Sequence, residues 1–142
     1  MSMTLLVPMC AVAFVQVADL NSRLRAEGFD IVIQQSDLRT HTGFLPARWA
    51  GARTGFEYGL DAAQDFGLEI PTEFGRCSGV VSLYYTGRPD EAVAAYAAAA
   101  ALADLSRSGV LDDERNWLTP RQTYAAARQT AWFARVWRVF NR

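Results

Sequence analysis

The sequence predicts a single α+β domain, and three observations carry that expectation. Short apolar stretches rich in β-branched and aromatic residues alternate with stretches of helical period. Glycine and proline punctuate them, and no shift of composition marks a linker. Of the 142 residues, 51% are apolar, enough to build one core without disulfides or a structural metal. The same fraction excludes a disordered chain, and no apolar run approaches the ~18 residues of a spanning helix. The domain is expected over 1–142, with its core at about 4–118 and a terminal helix at about 120–140.

Residues 4–9 are short and apolar, with Pro8 near their end, and read as a buried or edge strand. From Phe14 a helical period begins, with Val17, Leu20 and Leu24 on one face, and Gly28 closes it. Asp30-Ile31-Val32-Ile33-Gln34-Gln35 reads as a second strand. If it runs parallel to the first in one sheet, the crossover is right-handed. Residues 43–49 and 54–60 form a hairpin through Ala50-Gly51-Ala52-Arg53, with Phe44, Leu45, Phe56 and Tyr58 as cross-strand candidates. The polar stretch 61–75 is read as irregular surface, and 79–85 is the clearest strand in the chain.

Pro89 in a first turn, with Asp90 and Glu91 at the positive end of the helix dipole, opens a long helix. Its body, 92–103, is nearly all alanine, and Gly109 ends it. A short strand at 109–111 and a turn at 112–116 follow. Thr119-Pro120-Arg121-Gln122 then combines an N-cap, a proline at the first helical position and a capping box. This order predicts a ferredoxin-like sandwich: one mixed sheet with an inserted hairpin, helices mainly on one face, and a C-terminal amphipathic helix.

Charge narrows the function classes. All 14 basic residues are arginine, so neither a Schiff base nor a lysine general base is open to this chain. The excess of Arg and Ala reads as a genome-wide codon bias. A pI of 5.8 argues against a general nucleic-acid-binding domain. Cys10 and Cys77 are too few and too separated for a zinc site or a disulfide framework. One bridge between them is formally open, but two reduced, buried thiols are expected. The apolar run 5–15 has no basic residue before it and is read as a strand rather than a signal segment, which makes a cytoplasmic location the expectation.

The terminal helix carries the most information. Phe133, Val136, Trp137 and Phe140 recur at i, i+3, i+4 and i+7, widened by Trp132 and Val139. Arg121, Arg128, Arg135 and Arg142 recur every seven residues along the opposite side, joined by Arg138. Residues 115–142 hold six arginines and no acid, against eight arginines and 15 acids in 1–114, so a +6 segment follows a −7 body. The simplest expectation is a helix that docks its aromatic face on its own domain and leaves the arginines in water. The functional alternatives are a helix exchanged between subunits of a homo-oligomer, a partner-docking helix, and an interfacial membrane helix.

Other candidates are weaker. Asp61, Asp65, Glu69 and Glu73 recur every four residues, as a solvated stripe or a surface that steers a basic partner. Asp112, Asp113 and Glu114 lack the spacing of a calcium loop. His41 sits in a polar connection and reads as an ordinary loop histidine; a pair with either cysteine has no flanking signature. Gly51-Ala52-Arg53-Thr54-Gly55 lacks the lysine and spacing of a phosphate loop. No catalytic residue, cofactor or metal is therefore assigned, and the balance leans away from an enzyme.

Gly55-Phe56-Glu57-Tyr58, Val80-Val81-Ser82-Leu83, Ala101-Leu102-Ala103-Asp104-Leu105, Gly109-Val110-Leu111-Asp112-Asp113 and Leu118-Thr119-Pro120 together resemble small uncharacterised bacterial α/β domains. Some of those are similar to immunity proteins that neutralise toxins. The resemblance covers roughly 55–119, rests on structural motifs and carries no catalytic residue across. It implies a non-enzymatic protein-binding domain. Its interface would be the acidic set Asp61, Asp65, Glu69 and Glu73, or the terminal helix through Trp132, Phe133, Trp137, Phe140, Arg128 and Arg135. The competing readings are a small-ligand or enzymatic domain using the loop around His41, and peripheral membrane association through the helix. The tail after Thr123 lies outside the resemblance.

Overall fold

A computed structural model describes residues 3–10 and 14–140. Its strands are β1 (Met3–Met9), β2 (Ile31–Ile33), β3 (Gly43–Trp49), β4 (Ala52–Asp61), β5 (Gly79–Tyr85), β6 (Val110–Leu111) and β7 (Trp117–Leu118). Its helices are α1 (Val17–Ala26), α2 (Pro89–Ser106) and α3 (Pro120–Phe140), with two short 3₁₀ helices at Ala63–Phe66 and Thr72–Phe74 where an irregular segment was expected.

One sheet runs in the order β2-β3-β4-β5-β1-β6-β7. Every pair in it is antiparallel, which corrects the expected mixed sheet. β1 and β2 are separated by three strands. The three-residue β2 takes its partners from the adjacent hairpin, at Trp49, Arg48 and Ala47, whereas β1 pairs with β5 along its whole length. The free edge of β2 is blunted from α1, where the Asn21 amide donates to the Ile33 carbonyl and accepts from the Ile33 N–H at 3.0 and 2.8 Å.

Strand alternation divides the interior. Leu5, Val7, Leu45, Phe56, Val81 and Leu83 join the buried faces of all three helices in the main core. Leu6, Val80 and Leu111 point the other way and are covered by Ala63, Phe66, Leu68 and Ile70 of the β4–β5 connection. The helices thus lie on one face and that connection on the other. α2 is buried on every side, packing against the sheet, α1 and α3 at once. Alanine suits that position because it holds the helix and lets three neighbours approach closely.

Local chemistry explains several details. Ala50 and Gly51 both take positive φ, 49° and 80°, in a two-residue turn closed by the Trp49–Ala52 pair. Such turns match the strand twist, and this one places Arg53 in β4 rather than in the loop. The expected capping box of α3 is present: the Gln122 N–H donates to Thr119 Oγ1 at 3.1 Å, and the Thr119 N–H donates to Gln122 Oε1 at 2.9 Å. β7 escapes sequence reading because two residues carry no period.

The cysteines require a second correction. Met9 pairs with Gly79, so the register of β1 and β5 brings Cys10 and Cys77 together, and they form a disulfide. Both are partly exposed rather than reduced and buried. Ser78 secures the crossing by donating its N–H and hydroxyl to the Met9 carbonyl.

Candidate interaction surface

α3 is turned over relative to the expectation. It docks on α2 through Thr123, Tyr124, Ala127, Ala131 and Ala134. Two alanine faces can approach more closely than rings would permit, which leaves the aromatic residues outside. Phe140 is 81% exposed, Trp132 64%, Val139 63%, Phe133 54% and Trp137 46%. These positions share the outward side of the last turns of the helix.

Of the arginines expected in water, Arg121 is exposed, but Arg128, Arg135 and Arg138 turn back onto the domain. Arg128 Nη2 donates to the Glu27 backbone oxygen and to Glu27 Oε2, both at 3.1 Å, and its guanidinium covers the rings of Phe29 and Tyr124. Arg138 lies 4.6 Å and Arg135 5.9 Å from the ring centre of Trp49. Their apolar stems and planar heads suit such platforms. Arg142 lies outside the described residues. Beneath them, the Tyr124 hydroxyl donates to Asp104 at 3.2 Å, and Asp104 also accepts from Arg23 at 3.1 Å. Burial, reinforced by the Asp104 carboxylate, pushes the Tyr124 phenol above its usual range.

The acidic set lies elsewhere. Asp61 closes β4, Asp65 is in the first 3₁₀ helix, Glu73 is in the second and Glu69 falls between them. All four are exposed, but the left-handed Gly67 and Gly75 break the segment, so their spacing makes no helical stripe. They occupy the sheet face away from the helices, and the two expected surfaces do not form one site.

His41 is engaged within its own loop. Its Nε2 donates to the Phe44 carbonyl at 3.0 Å, its Nδ1 lies 2.9 Å from Ser36 Oγ, and its ring meets Tyr58 edge-on. Tyr58 in turn donates to the Leu38 carbonyl at 2.6 Å. A cysteine–histidine pair is excluded here because both sulfurs are in the disulfide. Asp112 Oδ1 accepts from the Glu114 and Asn116 N–H groups, which makes the acidic triplet a hydrogen-bonded turn. Among the described residues, no three His, Cys, Asp or Glu side chains gather into a group that could hold a metal ion.

Sequence reading missed Trp49 as the arginine platform, and it missed a corner of the molecule where Arg48, Arg53 and Arg88 meet. The signal for the second was the turn: read as two residues rather than four, it sets Arg48 directly opposite Arg53. The architecture defines the class as an α+β domain built on one antiparallel sheet. Compared with known proteins, the chain matches no family model, no curated protein and no solved structure.

Proposed function

We propose that this protein is a non-enzymatic binding module that docks the outward face of α3 into an apolar groove of a protein partner. The observation that carries this reading is the exposure of Trp132, Phe133, Val139 and Phe140 on a helix whose other side is already packed. Exposed aromatic residues beside arginine are the usual composition of interface hot spots. A bilayer is the weaker occupant. A helix lying in a headgroup layer presents free cations along its length, whereas Arg128, Arg135 and Arg138 are engaged with the domain, Arg121 is confined to the first turn, and Ala126, Gln129 and Thr130 near the other flank carry no charge. An immunity-like role is the form of partner binding that the resemblance over 55–119 suggests.

Two further points belong to this reading. With β3 and β4 taken as an inserted hairpin, the chain order through β6 is β–α–β–β–α–β, which supports the ferredoxin-like plan. The Cys10–Cys77 disulfide favours an oxidising compartment over the expected cytoplasm.

The test compares the intact protein with a Trp132→Ser, Phe133→Ser, Phe140→Ser variant. A stoichiometric partner, captured from the source organism and reconstituted from purified components, should bind the wild type and lose at least about tenfold in affinity with the variant. Equal affinity for the variant sinks the proposal. So does concentration-dependent dimerisation, or co-sedimentation with phosphatidylserine vesicles, that the same substitutions abolish.

A further inference from the structure

We infer that the corner between the β3–β4 hairpin and the first turn of α2 binds a small organic anion carrying a flat apolar group, such as an aryl phosphate or carboxylate. The corner is a cleft of about 690 Å³, within the range of small-molecule sites. Val32, Phe44 and Pro46 form its apolar side, and Arg48, Arg53 and Arg88 its basic side.

The charges are what distinguish it. Arg48 and Arg53 face each other directly across β3 and β4, and like charges directly opposite one another destabilise a sheet. Arg48 Nη1 donates only to the Gly51 carbonyl, and Arg53 has no ion-pair or hydrogen-bond partner among the described residues. Neither of the two acids lining the cleft forms an ion pair with Arg48 or Arg53. Asp90 pairs with Arg88 at 3.4 Å, and Glu91 Oε1 accepts from the Thr86 N–H and hydroxyl. Two arginines on neighbouring strands, Arg53 wholly and Arg48 apart from its bond to Gly51, are therefore left for a ligand, and guanidinium is the group that best takes the oxygens of a phosphate or carboxylate.

Two more features fit an amphipathic ligand. The Phe44 ring lies across Gly55, which leaves no room there for a Cβ, so a half-exposed aromatic wall is held in place beside the arginines. Thr54, next to Arg53 on β4, also lines the cleft. None of these residues belongs to the outward face of α3, so this site stands independently of the docking proposal.

Phenyl phosphate titrated into the intact protein at low ionic strength, followed by amide and arginine side-chain NMR, tests the assignment. Saturable shifts are expected at Phe44, Arg53, Thr54 and Arg88, with a dissociation constant about tenfold or more below that of inorganic phosphate, because only the ester uses the apolar wall. Arg48→Gln and Arg53→Gln should each weaken binding by about tenfold, while relief of the like-charge pair leaves thermal stability unchanged or raised. Shifts confined to α3, absence of saturation, inorganic phosphate binding as tightly as the ester, or wild-type affinity in both variants would overturn it. Should a variant fail to fold, the wild-type shift map and the two-ligand comparison decide on their own.

Discussion

α2 and α3 lie side by side, and both are rich in alanine where they meet, yet they meet water in opposite ways. Eleven of the 18 residues of α2 are buried, on all sides, while α3 buries five of its 21 along a single stripe. The difference shows that the apolar residues of a helix need not be the ones that dock. What docks is the face whose shape matches the neighbour, and a neighbour made of alanine selects alanine. Trp132, Phe133 and Phe140 of α3 are thereby left facing solvent.

The comparison can be broken first at the seam. Ala127 is fully buried, so Ala127→Leu should force α2 and α3 apart and cost about 1–3 kcal/mol in urea unfolding. A neutral result would mean that the seam is looser than the packing implies.

Alkaline pH sharpens the comparison at Tyr124, which joins the two helices through Asp104. Tyr124, Tyr58 and Tyr85 are all held above the ordinary phenol value of 10.0, chiefly by burial. The unfolded chain releases these protons from about pH 10 while the folded chain keeps them. Their stabilisation is therefore complete below that pH and is lost as pH rises, at about 1.4 kcal/mol per pH unit for each phenol. The denaturation midpoint should fall steeply from about pH 10 upward, with the phenolate absorbance of these three tyrosines appearing only on unfolding. Tyr124→Phe should flatten the slope, and a midpoint indifferent to pH would contradict the buried network.

The smallest effect is expected on the other side of α3. Phe140→Ser should shift stability by no more than about 0.5 kcal/mol, because the ring is 81% exposed. A loss comparable to that of Ala127→Leu would show that Phe140 packs on its own chain.

Legibility in the sequence followed the range of the forces involved. The capping box at Thr119 and Gln122, the proline start of α2 and the apolar run of β5 were readable because each is decided by residues within a few positions. α3 was foreseen as a helix with an aromatic face and an arginine face. Its docking face was the unremarked third one, where Tyr124, Ala127, Ala131 and Ala134 recur at helical spacing. Nothing in the helix ranks alanine above tryptophan as a contact; the ranking comes from α2. The cleft was hidden for a similar reason, since Arg48 and Arg53 become neighbours only once the turn between them is known to be two residues.

By itself the sequence determined the three α-helices and six of the seven strands, where most of them begin and end, and that a basic, aromatic segment follows an acidic body. Those properties depend on backbone preference, capping and composition, all of them local. Only the tertiary structure decided that the sheet is antiparallel throughout, that Cys10 meets Cys77, and that α3 shows Trp132, Phe133 and Phe140 to water and Arg135 and Arg138 to Trp49. Each of these is a contact between residues distant along the chain, decided by the register and shape of partners that no single segment contains.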